Sequence, residues 1–494
     1  MKLQPSRRDI LRLGGLGALS FLHPLLLGGS AGCQPGAAPA DPSMPPPAMP
    51  PPDPSRPWWL TGNFAPVPER DLTEITLEGT LPDALDGLYL RNGSNPMSGA
   101  APHWFLGDGM VHGVRLKSGR ALYYRNRYVR TAQLAQGPNP AGSPPSLEVN
   151  ASNVSVVYHA GRVLSSGEVG LPYRLDPATL GTLGVYDFGG KLKTAMTAHP
   201  KLDPVTGELH LFGYGFLPPY LTYYVVDKTG ALVSEQVIEL KNPVMMHDFQ
   251  LTKTRAVFLD LPVVFDWTAA RAGDMFPFRW KPEAGARIGL LPRGGKGSDI
   301  KWLPLPPCFI FHTLNAYDDG DQVVLEACRF DSLWEKGIND TSQPPYLTRF
   351  TLDEKRGTVT ESRIHPHITD FPVLDPRRVA QKHRYGYSLL LDAGTAYGPA
   401  WMKGLAKLDT QGDRVTVYEA PSGHRLDEMT FVPKSETAGE DEGFLVGFVY
   451  DHNTDRSALW VFDAQDLPKG PIAKAHLPYR VPFGFHGTFL PKLG

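Results

Sequence analysis

Four histidines, His199, His247, His312 and His486, carry the chemistry legible in this chain. Each opens a short apolar run: TAHPKLDPVTGELHLFGYG, MMHDFQLTKTRAVFLDLPV, FHTLNAYDDGDQVVLEACRF and FGFHGTFLP. Their immediate neighbours are small or polar, as in His247-Asp248, His312-Thr313 and His486-Gly487. No two of them have the spacing of a local metal finger. They make joint sense only in a closed, repeating fold that brings four strand starts to one axis. Four neutral imidazoles meeting there form a site for a divalent first-row metal. The other eleven of the fifteen histidines, among them His103, His112, His159, His365 and His383, are read as structural hydrogen bonders.

A metal-bound imidazole usually donates its second ring N–H to a carboxylate or carbonyl. Buried acids are therefore expected near the four rings. Candidates are Glu168 in LSSGEVGLPYRLD, Asp370 in ITDFPVLDPRR and Glu428 in LDEMTFVP. Each lies in or beside an apolar run, where an unpaired charge is costly. The competing reading for each is an acid at a strand end on the surface. A shell of histidines alone leaves the double positive charge of the ion uncompensated, and nearby carboxylates offset it in part. Four ligands on an octahedral ion leave two positions open. A structural zinc site is closed and tetrahedral, usually with sulfur. Nitrogen ligands with open positions favour one iron(II) per chain, activating dioxygen, in a shell unlike the common two-histidine, one-carboxylate arrangement.

The elements that position these residues read as short strands. Runs such as ALYYRNRYVR, NVSVVYHAGRVLSS, LTYYVVD, RAVFLDLPVVF, DQVVLEACRF and GFLVGFVYD are separated by Gly, Asp, Asn and Pro turns. Amphipathic helical patterns are scarce. About four strands per roughly 45–60 residues predict a β-propeller; a sandwich with inserted loops is the alternative. In a propeller the innermost strand of each blade lines the axis. His199, His247 and His312 follow at blade-like spacing, His486 is expected from the last blade, and the interval between His312 and His486 holds blades without a ligand. The stretch Asp266–Gly297, with Trp267, Phe276, Phe278 and Trp280, is expected as a long loop. It would cap a pocket, meet lipid as a peripheral membrane contact, or simply pack.

Composition narrows the field. The 494 residues are 41% hydrophobic, so a large core can form. A formal net charge of −2 gives no ground for a nucleic-acid partner. Three cysteines, Cys33, Cys308 and Cys328, do not make a disulfide scaffold. Cys308 and Cys328 flank the turn at Asp318–Asp321 and read as two buried thiols, with a disulfide across the hairpin as the alternative. No nucleophile–histidine–acid triad, P-loop or dinucleotide fingerprint is present.

The amino terminus reads as an address. Arg7 and Arg8 in SRRDILR precede a Gly-rich, weakly hydrophobic run, similar to a twin-arginine export signal over residues 1–33. Such signals carry folded proteins to the periplasm or cell envelope. Ser30-Ala31-Gly32-Cys33 is similar to a lipoprotein cleavage box, with Ser where an aliphatic residue is usual, and would place a lipid anchor on Cys33. Residues 34–57 are Pro- and Ala-rich and read as a disordered tether. The folded domain is expected over 58–494.

The motifs LPDALDGLYLRNGSNP, HWFLGDGMVHGVRL, TAHPKLDPVTGEL, MMHDFQLT, FHTLNAYDDGD and FHGTFLP together resemble the carotenoid cleavage oxygenases. That group includes apocarotenoid and lignostilbene oxygenases and the retinal pigment epithelium isomerase. The resemblance runs from about Trp58 to Leu490. It implies an all-β, seven-bladed propeller with a helical or loop cap over one face. It implies iron(II) on the axis, held by His199, His247, His312 and His486. Glu168, Asp370 and Glu428 would support His247, His312 and His486 in that order, leaving His199 without a carboxylate. The family usually has Glu where Asp370 stands, so the bond to His312 is expected to be long or to pass through a water. The implied reaction splits a conjugated C=C bond of a carotenoid or apocarotenoid with dioxygen into two carbonyls. Cleavage of phenolic stilbenes is the alternative, and a non-cleaving isomerase or polyene-binding relative is another. Stilbene cleavers are expected to hold a phenol with a Tyr and a Lys. Here Phe105 stands where the Tyr would be sought, and Ala132-Gln133-Leu134 offers no Lys.

Overall fold

Val, Ile, Tyr and Phe runs favour a pleated, half-buried strand. Gly, Asp and Pro between them end each strand after a few residues. The computed structural model describes residues 55–137, 146–340, 342–392, 402–412 and 414–492. The export signal, Cys33 and nearly all of the 34–57 tether lie outside the described residues.

Seven antiparallel sheets follow one another around an axis as the blades of a propeller. The second blade is built from Ser155–His159, Arg162–Ser166, Tyr173–Leu175 and Thr182–Val185. The third runs outward from Lys201–Leu202 and the fourth from Gln250–Leu251. The fifth starts at Phe309–Asp319. Its outermost strand, Thr358–Val373, is long enough to continue as the innermost strand of the sixth. In the seventh the inner strand is broken into His424–Leu426 and Thr430–Pro433, both paired with Gly443–Asp451.

Both ends of the domain close the ring. The early strand Thr76–Gly79 completes the seventh blade by pairing with Pro471–His476. The last strand, Gly487–Pro491, completes the first blade by pairing with Gly87–Ser94. His486 therefore enters from the first blade, not the last as expected. The reason is closure: end strands exchanged across the seam tie the last blade to the first.

Asp266–Gly297 is not one loop. Val263–Phe265 and Phe278–Trp280 form a hairpin tipped by the short helix Trp267–Arg271, whose first amides are capped by Asp266. Ala286–Pro292 is then a full strand of the fourth blade, paired with Arg255–Asp260. The aromatic residues of this insertion turn inward. Phe265 stacks on Phe216 at 4.1 Å, and Phe276 meets Trp334 at 5.1 Å. Among the described residues helix is confined to short turns, so the cap over the axis is mostly loop. Cys308 and Cys328 are both free and buried, and burial raises the Cys308 thiol to about 12.

Candidate metal centre

Each histidine leaves the regular ladder where the inner strand starts or is interrupted. His199 precedes Lys201–Leu202, its N–H held by the Thr197 hydroxyl at 3.0 Å. His247 precedes Gln250–Leu251. His312 lies inside Phe309–Asp319 rather than at its entrance, where the register with Gln322–Phe330 shifts between Ile310 and Thr313. Such an irregularity re-aims a side chain out of the alternation. His486 is fixed by its backbone, with its N–H on the Val154 carbonyl and its carbonyl accepting from the Asn92 N–H, both 3.1 Å.

The four rings converge. One nitrogen of each lies within 4.8 Å of the same atom in the other three, and His199 Nε2 is 3.0 Å from His247 Nε2. An imidazole nitrogen sits about 2.0–2.1 Å from a first-row ion, so neighbouring ligands on an octahedron are about 3 Å apart and opposite ones about 4 Å. The His199–His247 pair has the spacing of neighbouring ligands, and the whole set stays within 4.8 Å.

Three carboxylates fix the rings from behind. His247 Nδ1 meets Glu168 Oε2, His312 Nδ1 meets Asp370 Oδ1 and His486 Nδ1 meets Glu428 Oε1, each at 2.8 Å. A carboxylate accepts, so each Nδ1 carries the proton and each Nε2 turns a lone pair inward. Lone pairs pointed at one point repel unless a cation stands there, so the donor set fits a metal ion. Among the described residues His199 has no carboxylate on its ring.

The Asp370 bond is direct, neither long nor water-bridged as the shorter side chain led us to expect. The backbone makes up the missing methylene. The register between Thr358–Val373 and Tyr385–Leu391 shifts after Asp370, and Phe371 takes a φ of 52°. Asp370 Oδ1 also accepts the Phe371 N–H at 2.9 Å, and the Phe371 ring lies 4.7 Å from the His312 ring.

Electrostatics differ around the ring. Burial pushes the His199 pKa well below the ordinary value, helped by His486, His247 and Lys201. Burial also lowers His312, against the pull of Asp370. Burial opposes charge on His247 too, but Glu168 outweighs it, and the pKa rises above 6.5. His103 and His365, both read as structural, are pushed down to about 4 by burial. His112 bonds to the Tyr124 hydroxyl, and His383 faces Glu326 and Asn315. None of these joins the cluster.

Sequence reasoning missed the layer that staples the histidine strands together. Lys201 Nζ meets Asp248 Oδ1 at 2.7 Å, and Asp248 Oδ2 accepts from the N–H and hydroxyl of Thr313. That network joins the strands of His199, His247 and His312. Arg91 meets Asp427 at 3.2 Å beneath Glu428. Tyr214 donates to Glu168 Oε1 at 2.8 Å. The polar neighbours Asp248 and Thr313 were visible signals; the partners of Tyr214 and Arg91 lie too far along the chain to be read locally.

A cavity of about 200 Å³ reaches the centre. His247, His312 and His486 form its floor, and Trp104, Phe105, Phe276, Phe278, Phe311 and Phe485 are prominent in its apolar walls. Ligand sites commonly combine such walls with a few placed polar groups.

A family model described as retinal pigment epithelial membrane protein matches residues 64–491. The chain is 36% identical to carotenoid 9,10(9',10')-cleavage dioxygenase 1 of Arabidopsis thaliana, over 87% of this chain and 89% of the relative. It is 34% identical to the carotenoid cleavage oxygenase of Mycobacterium tuberculosis, over 88% and 97%. The solved lignostilbene dioxygenase of Pseudomonas brassicacearum superposes with a TM-score of 0.81 at 28% identity, over 88% of this chain and 99% of that one. The propeller, the histidine cluster and these matches agree, and the chain belongs to the retinal pigment epithelial membrane protein family, the family of the carotenoid cleavage oxygenases.

Proposed function

We propose that this enzyme is an iron(II) dioxygenase that cleaves a conjugated C=C bond of a carotenoid or apocarotenoid into two carbonyl products. The observation that carries the reading is the convergence of four histidines, three of which line the floor of an apolar cavity. His199, His247, His312 and His486 would hold the ion, and the bound iron would supply the binding and activation of dioxygen. Glu168, Asp370 and Glu428 hold the Nδ1 protons and offset the charge. The aromatic walls orient a flat conjugated segment and exclude water. Both atoms of dioxygen end in the products, so no reductant is required.

Phenolic stilbenes are the competing substrate, favoured by the structural likeness to the lignostilbene dioxygenase. The walls argue against them. Phe105 offers no hydroxyl to a phenol, and the short helix Ala132–Gln136 brings Gln133, an amide rather than an ammonium, to the cavity. Incubating iron-loaded enzyme with an apocarotenal and with resveratrol, then identifying aldehydes by mass spectrometry, separates the two. The apocarotenal is expected to be cleaved with ¹⁸O₂ label in both fragments; an unchanged substrate mass would favour isomerisation.

An apolar substrate also needs a source. Met275, next to the cavity-lining Phe276 in the 266–297 stretch, is 58% exposed, and this stretch is the part we expect to touch a membrane. Co-sedimentation with phosphatidylcholine vesicles, lost in Met275→Glu, tests it. Residues 1–33 would carry the folded enzyme to the periplasm or cell envelope, which fusion of residues 1–57 to a reporter would reveal.

A further inference from the structure

The three carboxylates behind the histidines are anchored differently. Glu428 accepts the backbone N–H of Gly487 on its second oxygen at 2.8 Å. Asp370 accepts the Phe371 N–H on the same oxygen that serves His312. Apart from the Cys328 thiol against Asp370, these are backbone donors. Glu168 alone is anchored by a side-chain hydroxyl, that of Tyr214, at 2.8 Å.

Glu168 needs that anchor more than the others. It sits just beyond the strand Arg162–Ser166, in a segment without a regular ladder. It also lines the cavity, as Tyr214 does, whereas neither Asp370 nor Glu428 is part of the lining. A glutamate on a cavity wall has three rotatable bonds and open space to turn into, and fixing it costs side-chain entropy. Tyr214 ends the strand Leu209–Tyr214 of the third blade and is buried. Burial, with Glu168 beside it, holds its pKa well above the ordinary value, so the hydroxyl stays a donor. The chain Tyr214–Glu168–His247 thus crosses from the third blade to the second and on to the fourth.

We propose that Tyr214 is a positioning residue for the metal centre: its hydroxyl locks Glu168, which in turn sets the ring plane and tautomer of His247. The inference rests on the metal-centre reading above. Loss of a partner one layer out from a metal ligand typically weakens metal affinity by about 10–100-fold. Tyr214 stands one step further away, so about tenfold is expected for Tyr214→Phe.

The test measures the iron(II) dissociation constant anaerobically by chelator competition, for wild type, Tyr214→Phe, Glu168→Gln and the double variant. Tyr214→Phe should weaken iron binding roughly tenfold while the metal-free protein unfolds at the wild-type temperature. Adding it to Glu168→Gln should change little, because both act through His247. With substrate, kcat should fall while KM stays. Wild-type iron affinity in Tyr214→Phe with a raised KM would make Tyr214 a substrate contact and overturn the proposal. Equal losses in both backgrounds would do the same, since the two residues would then act independently. If the wild type itself binds no iron, the metal reading fails first.

Discussion

A carboxylate on Nδ1 does two things for an imidazole that binds metal: it fixes the tautomer and raises the basicity of the other nitrogen. For His312 that carboxylate is Asp370, fully buried. Asp370→Ala leaves the ring free to rotate and its N–H unpaired, so iron affinity should fall by about 10–100-fold, measured by iron content after dialysis against a chelator. The pH dependence belongs to His247. Its pKa is raised by Glu168, so its proton is held below that pKa and must be displaced by the metal. Iron affinity should therefore climb as pH rises through it and level off above. The same shift has the opposite sign for the metal-free fold. The His247–Glu168 pair stabilises it fully below the ordinary histidine pKa, and that stabilisation is lost as pH rises through the raised one. Binding isotherms from below the ordinary histidine pKa to well above it should show the slope, and a flat profile would contradict the raised pKa of His247. At this scale the sequence was most legible, because a histidine beside Asp or Thr in an apolar run is a local pattern.

Elements decide whether those residues meet. The inner strands are short or interrupted where a ligand or carboxylate must leave the ladder, as at His312, Asp370 and Glu428. Strand runs could be read from β-branched and aromatic residues, but such register shifts could not, since they arise from pairing with distant strands. The hairpin of Val263–Phe265 and Phe278–Trp280 was hidden for the same reason. Its strands are three residues each and are stabilised by packing on Phe216 and Trp334 rather than by their own pattern. The seam between the first and seventh blades gives a sharp prediction. A Cβ on Gly484 would stand 1.5 Å from Arg91 Nη1 and 2.6 Å from the Asn92 carbonyl. Arg91 is fully buried against Asp427 and has nowhere to go. Gly484→Ala should break that pair and cost about 3–5 kcal/mol, read as a lowered midpoint in denaturant. An unchanged midpoint would mean the seam yields without breaking the pair.

In the whole molecule, every one of the seven blades supplies one group to the centre. The first, third, fourth and fifth give His486, His199, His247 and His312; the second, sixth and seventh give Glu168, Asp370 and Glu428. A closed ring suits this task because no blade can move without straining its neighbours. Closure was the feature least legible in the sequence, since nothing local shows that strands near the two ends cross the seam. Residues before Trp58 should be dispensable for folding, whereas Trp58 itself packs on Phe64 at 4.9 Å and on Trp104 at 6.3 Å. A chain starting at Ser55 should unfold at the full-length temperature, and one starting at Leu60 at a lower one. The proposed catalysis rests on the coordination of iron by the four histidines. X-ray absorption on anaerobically loaded protein should find one iron per chain with four imidazole nitrogens and no sulfur. Iron that binds with fewer imidazoles, or fails to bind at all, would contradict it.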